Sequence, residues 1–142
     1  MKNKIFSYPI RIKEVYLDLF GHMNNAVYLT LFEEARWEFI NENGYGLNKI
    51  MDTGLGPVVL AIEIKYLKEL KVRDQVIIET QMLSYSSKIG KLAQRMVRGE
   101  DLCCTAEFTF GLFNLKERKL ISPTQEWLKA IGIDIEKNKA DK

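Results

Sequence analysis

Between positions 18 and 25 the chain reads D-L-F-G-H-M-N-N. One carboxylate, a glycine, the only histidine of the sequence and two asparagines follow each other closely. A carboxylate can attack an electrophilic carbon or take a proton from water, and a histidine can move protons. Directly afterwards the spacing of apolar residues changes to that of a helix. The cluster therefore abuts a helix start, where backbone N–H groups lack intrahelical acceptors and the dipole favours negative charge. Each residue also has a plainer reading. Asp18 can end a strand or cap a turn, His22 can be a hydrogen-bonded structural residue, and Asn24 is as good an N-cap as a catalytic donor. Asn25 offers its backbone N–H more readily than its side chain. Gly21 lets the chain turn tightly between strand and helix.

The elements that must position this cluster are legible as periodicities. Residues 9–17 predict a first strand, with Ile10 and Ile12 on one face, Val15 and Leu17 on the other, and a bulge near Lys13 and Glu14. From Asn25 to about Asn43 the period is helical. Thr30, Glu33, Glu34, Trp37, Glu38 and Asn41 form one stripe, and Tyr28, Leu29, Leu31, Phe32, Ala35, Phe39 and Ile40 cover the other side. Glu33 and Glu34 read as a solvated face. Arg36 falls inside the apolar arc, which suggests a snorkelling guanidinium or an ion pair with Glu33.

Residues 44–57, rich in glycine, predict a loop with a helical turn over 47–51. Four strands follow, at 58–68, 75–85, 88–98 and 102–114, joined by gaps short enough for antiparallel neighbours. Ser122-Pro123-Thr124-Gln125 predicts an N-cap at Ser122 and a short helix to about Ile131; residues 136–142 read as a frayed tail. The expected fold is α+β, with one antiparallel sheet of about five strands wrapped around one long central helix. Open sheet edges and two partly apolar faces predict at least a dimer.

The 142 residues fit one domain, 1–142, with a single core. Balanced charge, 21 basic against 19 acidic residues, argues against nucleic acid as the main partner. The N-terminus lacks an apolar signal region, and no run approaches the length of a membrane span, so a cytoplasmic protein is expected. Cys103 and Cys104 are adjacent in a strand pattern. Their side chains should point to opposite faces, where they cannot bridge each other. One histidine and two adjacent cysteines fit no zinc pattern, and G-Y-G-L-N-K at 44–49 is no phosphate cradle. No metal and no cofactor are expected.

The pattern D-x-x-G-H-x-N-N-x-x-Y, carried by Asp18, Gly21, His22, Asn24, Asn25 and Tyr28 and followed by F-E-E-A-R at 32–36, resembles the 4-hydroxybenzoyl-CoA thioesterase-like family of the hotdog fold. The order of elements agrees over roughly residues 6–115. The resemblance implies an acyl-CoA or acyl carrier protein thioesterase with Asp18 as the catalytic carboxylate. Many members read D-x-D-x-x-G; Tyr16 replaces the first aspartate here, and the second is the one the family uses. The H-x-N-N variant resembles the branch that includes acyl carrier protein thioesterases.

Elementary chemistry agrees with that implication. Thioester hydrolysis needs a carboxylate to attack the carbonyl or activate water, and donors for the oxyanion that develops. Unpaired N–H groups near Asn24–Ala26 could supply one, worth about 3 kcal/mol of transition-state stabilisation. Asp18, Asn25, His22 and Asn24 are therefore the candidate catalytic groups, and Gly21 and Tyr28 candidate substrate contacts. Lys65 and Lys68, in a basic run with Lys71 and Arg73, could hold the phosphates of coenzyme A, which enters as part of the substrate. Two other functions stay open. A hotdog hydratase or dehydratase would pair an acid with His22, and a non-catalytic module would bind acyl-CoA without cleaving it.

Overall fold

A computed structural model describes residues 3–133; the expected frayed tail, 136–142, lies outside the described residues. The chain runs β1 (Ile5–Arg11), a 3-10 turn (Glu14–Tyr16), α1 (Val27–Glu42), α2 (Leu47–Thr53), β2 (Leu55–Tyr66), β3 (Gln75–Ser86), β4 (Ile89–Arg98), β5 (Asp101–Asn114), β6 (Lys119–Ile121) and α3 (Gln125–Ala130). The strands form one antiparallel sheet in the order β1-β3-β4-β5-β2, and β6 adds to the end of β5. The α+β hotdog arrangement expected from the sequence is present, with six strands in place of about five.

The sheet wraps α1 because its inward faces are apolar at nearly every second position, with Thr80 and Gln94 the buried polar exceptions among the described residues. Val76, Ile78 and Met82 of β3, Leu92 and Met96 of β4, and Cys104, Ala106, Phe108, Phe110 and Leu112 of β5 are buried. Against them α1 buries Tyr28, Leu31, Phe32, Ala35, Phe39 and Ile40, recurring at helical spacing. Phe39 stacks on Phe6 of β1 with ring centroids 4.1 Å apart, and Phe32 meets Phe108 edge-on at 6.1 Å. Trp127 of α3 closes the far end against Tyr45 and Phe110. Gly90 is required for close approach: a Cβ there would lie 2.6 Å from the Phe110 ring.

Five expectations are corrected. The short gap at 69–74 predicts β2 and β3 as antiparallel neighbours, but β2 pairs with β5 and β3 lies between β1 and β4. Residues 67–74 instead cross from one side of the sheet to the other, the Leu67 and Lys68 N–H groups donating to the Cys103 carbonyl of β5 and the Asp74 carbonyl accepting from Ile12 beyond β1. The first strand is Ile5–Arg11, not 9–17. The phase change read as a bulge is the 3-10 turn, which leaves Val15 exposed. The turn follows a clamp on the strand end, where the Ile12 N–H donates to the Asp74 carbonyl and the Arg73 N–H to that of Ile12. The last helix is capped by Thr124, not Ser122, since its Oγ1 accepts the Trp127 N–H at 3.1 Å. Strand β6 is too short to show a period. Finally, Cys103 and Cys104 do not face opposite ways. Met96 pairs with Cys104 but Val97 with Leu102, so Cys103 is the extra residue of a bulge, and both thiols are free and fully buried.

Candidate active site

The stretch between β1 and α1 is folded into a tight loop by its own backbone. The Asp18 N–H donates to the His22 carbonyl, the Gly21 N–H returns to that of Asp18, and Leu17 bridges Met23. Gly21 sits in the left-handed region at φ 84°, the conformation that a turn this sharp demands. Two further bonds tie the loop to the body: the Met23 N–H donates to the Leu70 carbonyl and the Asn24 N–H to that of Tyr16.

Within this loop the two oxygens of Asp18 differ. Oδ1 accepts the Phe20 N–H at 2.8 Å, which fixes the carboxylate plane. Oδ2 makes no such bond and lies 3.7 Å from His22 Nδ1, an approach longer than a hydrogen bond. The Asp18 side chain is 22% exposed, so water reaches it.

The helix start separates the two asparagines. Asn24 closes an Asx turn just ahead of the helix, whose N-cap position, Ala26, carries no side-chain cap: the Asn24 Oδ1 accepts the Ala26 N–H at 2.9 Å, and its carbonyl accepts the Val27 N–H at 3.0 Å. The Asn25 N–H, which precedes both, donates to no group among the described residues. On its other side the Asn25 peptide is held by Tyr66 at the end of β2, whose hydroxyl donates to the Asn25 carbonyl at 2.8 Å. The Tyr66 ring meets Tyr28 edge-on at 4.9 Å. Burial pushes the Tyr28 phenol up to about 12 and also raises Tyr66, so both are neutral at ordinary pH.

These groups line one open cleft of about 480 Å³. Asp18, His22, Asn25, Tyr28 and Lys68 all contribute to its walls, together with Phe20, Met23, Tyr66, Leu67 and Glu69. Of the other candidates, Asn24 is not part of the cleft wall and holds the turn into the helix, and Gly21 shapes the loop. Lys65 lies elsewhere. It pairs across β5 with Thr105 on the outer face of the sheet, beside Glu63. Lys68 reaches the rim but is held by Asp101 at 2.8 Å. Sequence reasoning missed Tyr66 as a site residue. Its place in the Ile62, Ile64, Tyr66 alternation points to the inner face, but only the sheet register brings it to Asn25.

A second cavity, about 300 Å³, lies farther along α1 between that helix and the start of β2. Its walls are mostly apolar, including Trp37, Ile40, Val58, Leu92 and Phe110, with Arg36 and Glu33 as the charged members. Arg36 makes no ion pair with Glu33. Its Nη1 donates to Gln94 Oε1 at 2.9 Å, and the guanidinium lies over the Phe108 ring at 4.5 Å. No helix among the described residues is long and apolar enough to cross a membrane, and no group of His, Cys, Asp and Glu among them is placed to hold a metal ion.

Comparison with known proteins places the chain in a family. Residues 12–131 match the family described as the thioesterase-like superfamily. The chain is 30% identical over 115 residues to the long-chain acyl-CoA thioesterase FadM of Escherichia coli, covering 80% of this chain and 86% of that protein. Among solved structures, the probable thioesterase YbaW from Escherichia coli superposes with a TM-score of 0.79 at 26% identity, over 88% of this chain and 95% of the other. A Staphylococcus aureus protein in complex with CoA shares the fold at a TM-score of 0.84 and 20% identity, over 92% and 84% of the two chains.

Proposed function

The chain belongs to the thioesterase-like superfamily, and from that premise we propose that it is an acyl-CoA thioesterase whose chemistry is carried out in the Asp18 cleft. One observation carries this reading. The free oxygen of Asp18 and the unpaired N–H of Asn25 belong to walls of the same cleft. A thioester carbonyl seated between them would be polarised by the N–H as its oxygen gains charge. Asp18 Oδ2 would attack the carbonyl carbon or take the proton of an attacking water. In the general-base route the C–S bond of the hydrated intermediate breaks and the thiolate takes the proton that Asp18 had accepted from water, leaving the free acid. In the nucleophilic route the C–S bond breaks to give CoA thiolate and an anhydride on Asp18. Water then cleaves that anhydride to the free acid and the Asp18 carboxyl, whose proton passes to the thiolate.

Supporting roles follow from the contacts. Asn24 and Tyr66 position the Asn25 peptide from either side. His22 stands beside the Asp18 carboxylate, its Nδ1 3.7 Å from Oδ2. Lys68 and the adjacent basic residues sit where the phosphates of coenzyme A can approach, and the acyl group extends along α1 toward the second cavity. The site is completed in a homodimer, since the inner face of β2 extends past the cover of α1. Ile62 and Tyr66 are 45% and 47% exposed there.

The test is hydrolysis of a panel of acyl-CoA esters, followed by release of free thiol, with wild type and Asp18→Asn. Loss of kcat by a factor of about 100 or more is expected; an undiminished rate in the variant would remove Asp18 from the mechanism. Single turnover in 18O water then separates the two routes. Label in the Asp18 carboxylate marks nucleophilic attack; label confined to the product acid marks a general base only if hydroxylamine also traps no acyl-enzyme, since an anhydride opened at its acyl carbon puts the label in the product as well. Wild-type protein that binds acyl-CoA and leaves it intact would establish a binding module instead.

A further inference from the structure

The thioesterase reading makes no use of Arg36, yet this is the costliest group in the second cavity. A guanidinium carries five N–H donors. Among the described residues Arg36 has a single hydrogen-bond acceptor, the neutral amide of Gln94, and no carboxylate within ion-pair distance. Half-burying a positive charge this way is unfavourable unless something compensates it. Burial indeed pulls its pKa below the usual arginine value, and Glu33, exposed at the cavity rim, offsets this only through space.

Its partner is held in place from behind. Gln94 is 1% exposed. Its Nε2 donates to the Phe32 carbonyl at 3.0 Å and to the Thr80 hydroxyl at 2.9 Å, so Oε1 is turned toward Arg36. A buried chain of polar groups thus fixes one edge of the guanidinium, and Phe108 supports its face. The cavity beside it is otherwise lined mainly by carbon.

We propose that Arg36 is a specificity-determining residue that receives an acceptor oxygen, a carboxylate or hydroxyl, at the far end of the substrate's acyl chain. The inference rests on the thioesterase reading for the position of the thioester. From Asn25 to Arg36 the helix advances about 16 Å, and side chains lean back toward the helix start. The distal oxygen then sits on the order of 10–15 Å from the scissile carbonyl. A carboxylate would meet the planar fork of the guanidinium with two parallel hydrogen bonds.

The experiment compares kcat/KM for three CoA thioesters of equal chain length, roughly eight to twelve carbons to match that span: unsubstituted, ω-hydroxy and ω-carboxy. Wild type, Arg36→Met and Arg36→Lys are assayed, with circular dichroism as the check on folding. Wild type should prefer an ω-oxygenated thioester by roughly tenfold or more. Arg36→Met should collapse that ratio, and Arg36→Lys should restore part of it for the carboxylate alone. A preferred hydroxyl with an unfavoured carboxylate would identify a neutral acceptor, still through Arg36. Wild type that cleaves all three equally, or a ratio unmoved by Arg36→Met, overturns the proposal and leaves the thioesterase reading intact. If no thioester is cleaved, the thioesterase reading fails. Calorimetric binding of the free ω-carboxy acid against the plain fatty acid, in wild type and Arg36→Met, then decides the inference by itself. Equal affinities would overturn it.

Discussion

At the scale of single residues, the site depends on which oxygen and which N–H are left unused. Asp18 spends one oxygen on the Phe20 N–H and keeps the other. Asn24 takes up the N–H groups of Ala26 and Val27, and the Asn25 N–H just before them stays free among the described residues. Tyr66→Phe would release the Asn25 carbonyl with little change in packing. We expect kcat to fall several-fold with KM nearly constant, because the bond orients a donor that matters most when charge develops; steady-state kinetics check this. Asn24→Ala should cost about 1 kcal/mol of stability through the lost Asx-turn hydrogen bond at the helix start, read from urea unfolding. The sequence marks Asp18 and the two asparagines as a cluster but leaves their roles mixed. An N–H is free or bound according to the loop's own hydrogen bonds, and no spacing rule states those. Tyr66 lies 41 positions from the carbonyl it holds, a pairing set by strand register alone.

At the scale of elements, α1 and β2 to β5 were readable because each spans several repeats of its own period. The features that escaped are shorter than one repeat or break it: the 3-10 turn at Glu14–Tyr16, strand β6, and the bulge at Cys103. The β4–β5 pairing makes its own prediction. Gly90→Ala would drive a methyl into the Phe110 ring, and a loss of about 1–3 kcal/mol is expected in chemical denaturation. Alkaline stability is also set here. Burial raises the pKa of Cys104 from 9.0 to about 12 and that of Tyr28 from 10.0 to about 12. Below their unfolded values both groups are protonated in either state and contribute fully. As pH rises the unfolded chain ionises first, so stability falls progressively from about 9 and is lost through about 12. Thermal melts across that range should show the decline, and Tyr28→Phe should flatten its upper part.

At the scale of the whole molecule, β2 is the element without a complete environment. It is a sheet edge of twelve residues, and Val59, Leu60 and Ile62 remain 44%, 47% and 45% exposed. A second copy meeting this edge would cover the apolar stripe and bring another surface to the cleft that Tyr66 borders. Ile62→Lys should shift sedimentation toward the monomer and reduce activity together. A monomer that retains full activity would show that one chain suffices. Open, partly apolar sheet edges were foreseeable from composition and element order, but not that β2 forms one of them, since the short gap at 69–74 predicts β2 beside β3. Nor was its position next to the Asp18 cleft, since that depends on the β2–β5 register across residues 55–66.

The bulge that turns both cysteines inward makes the folded chain silent toward thiol dyes. Neither sulfur is exposed, and the protonated form of Cys104 is favoured far above neutral pH. Colour developed in a CoA-release assay would therefore come from product and not from the catalyst, even at high protein concentration. The same silence gives the protein a gauge of its own integrity. Slow labelling of the two thiols, without substrate, would time the opening of the sheet.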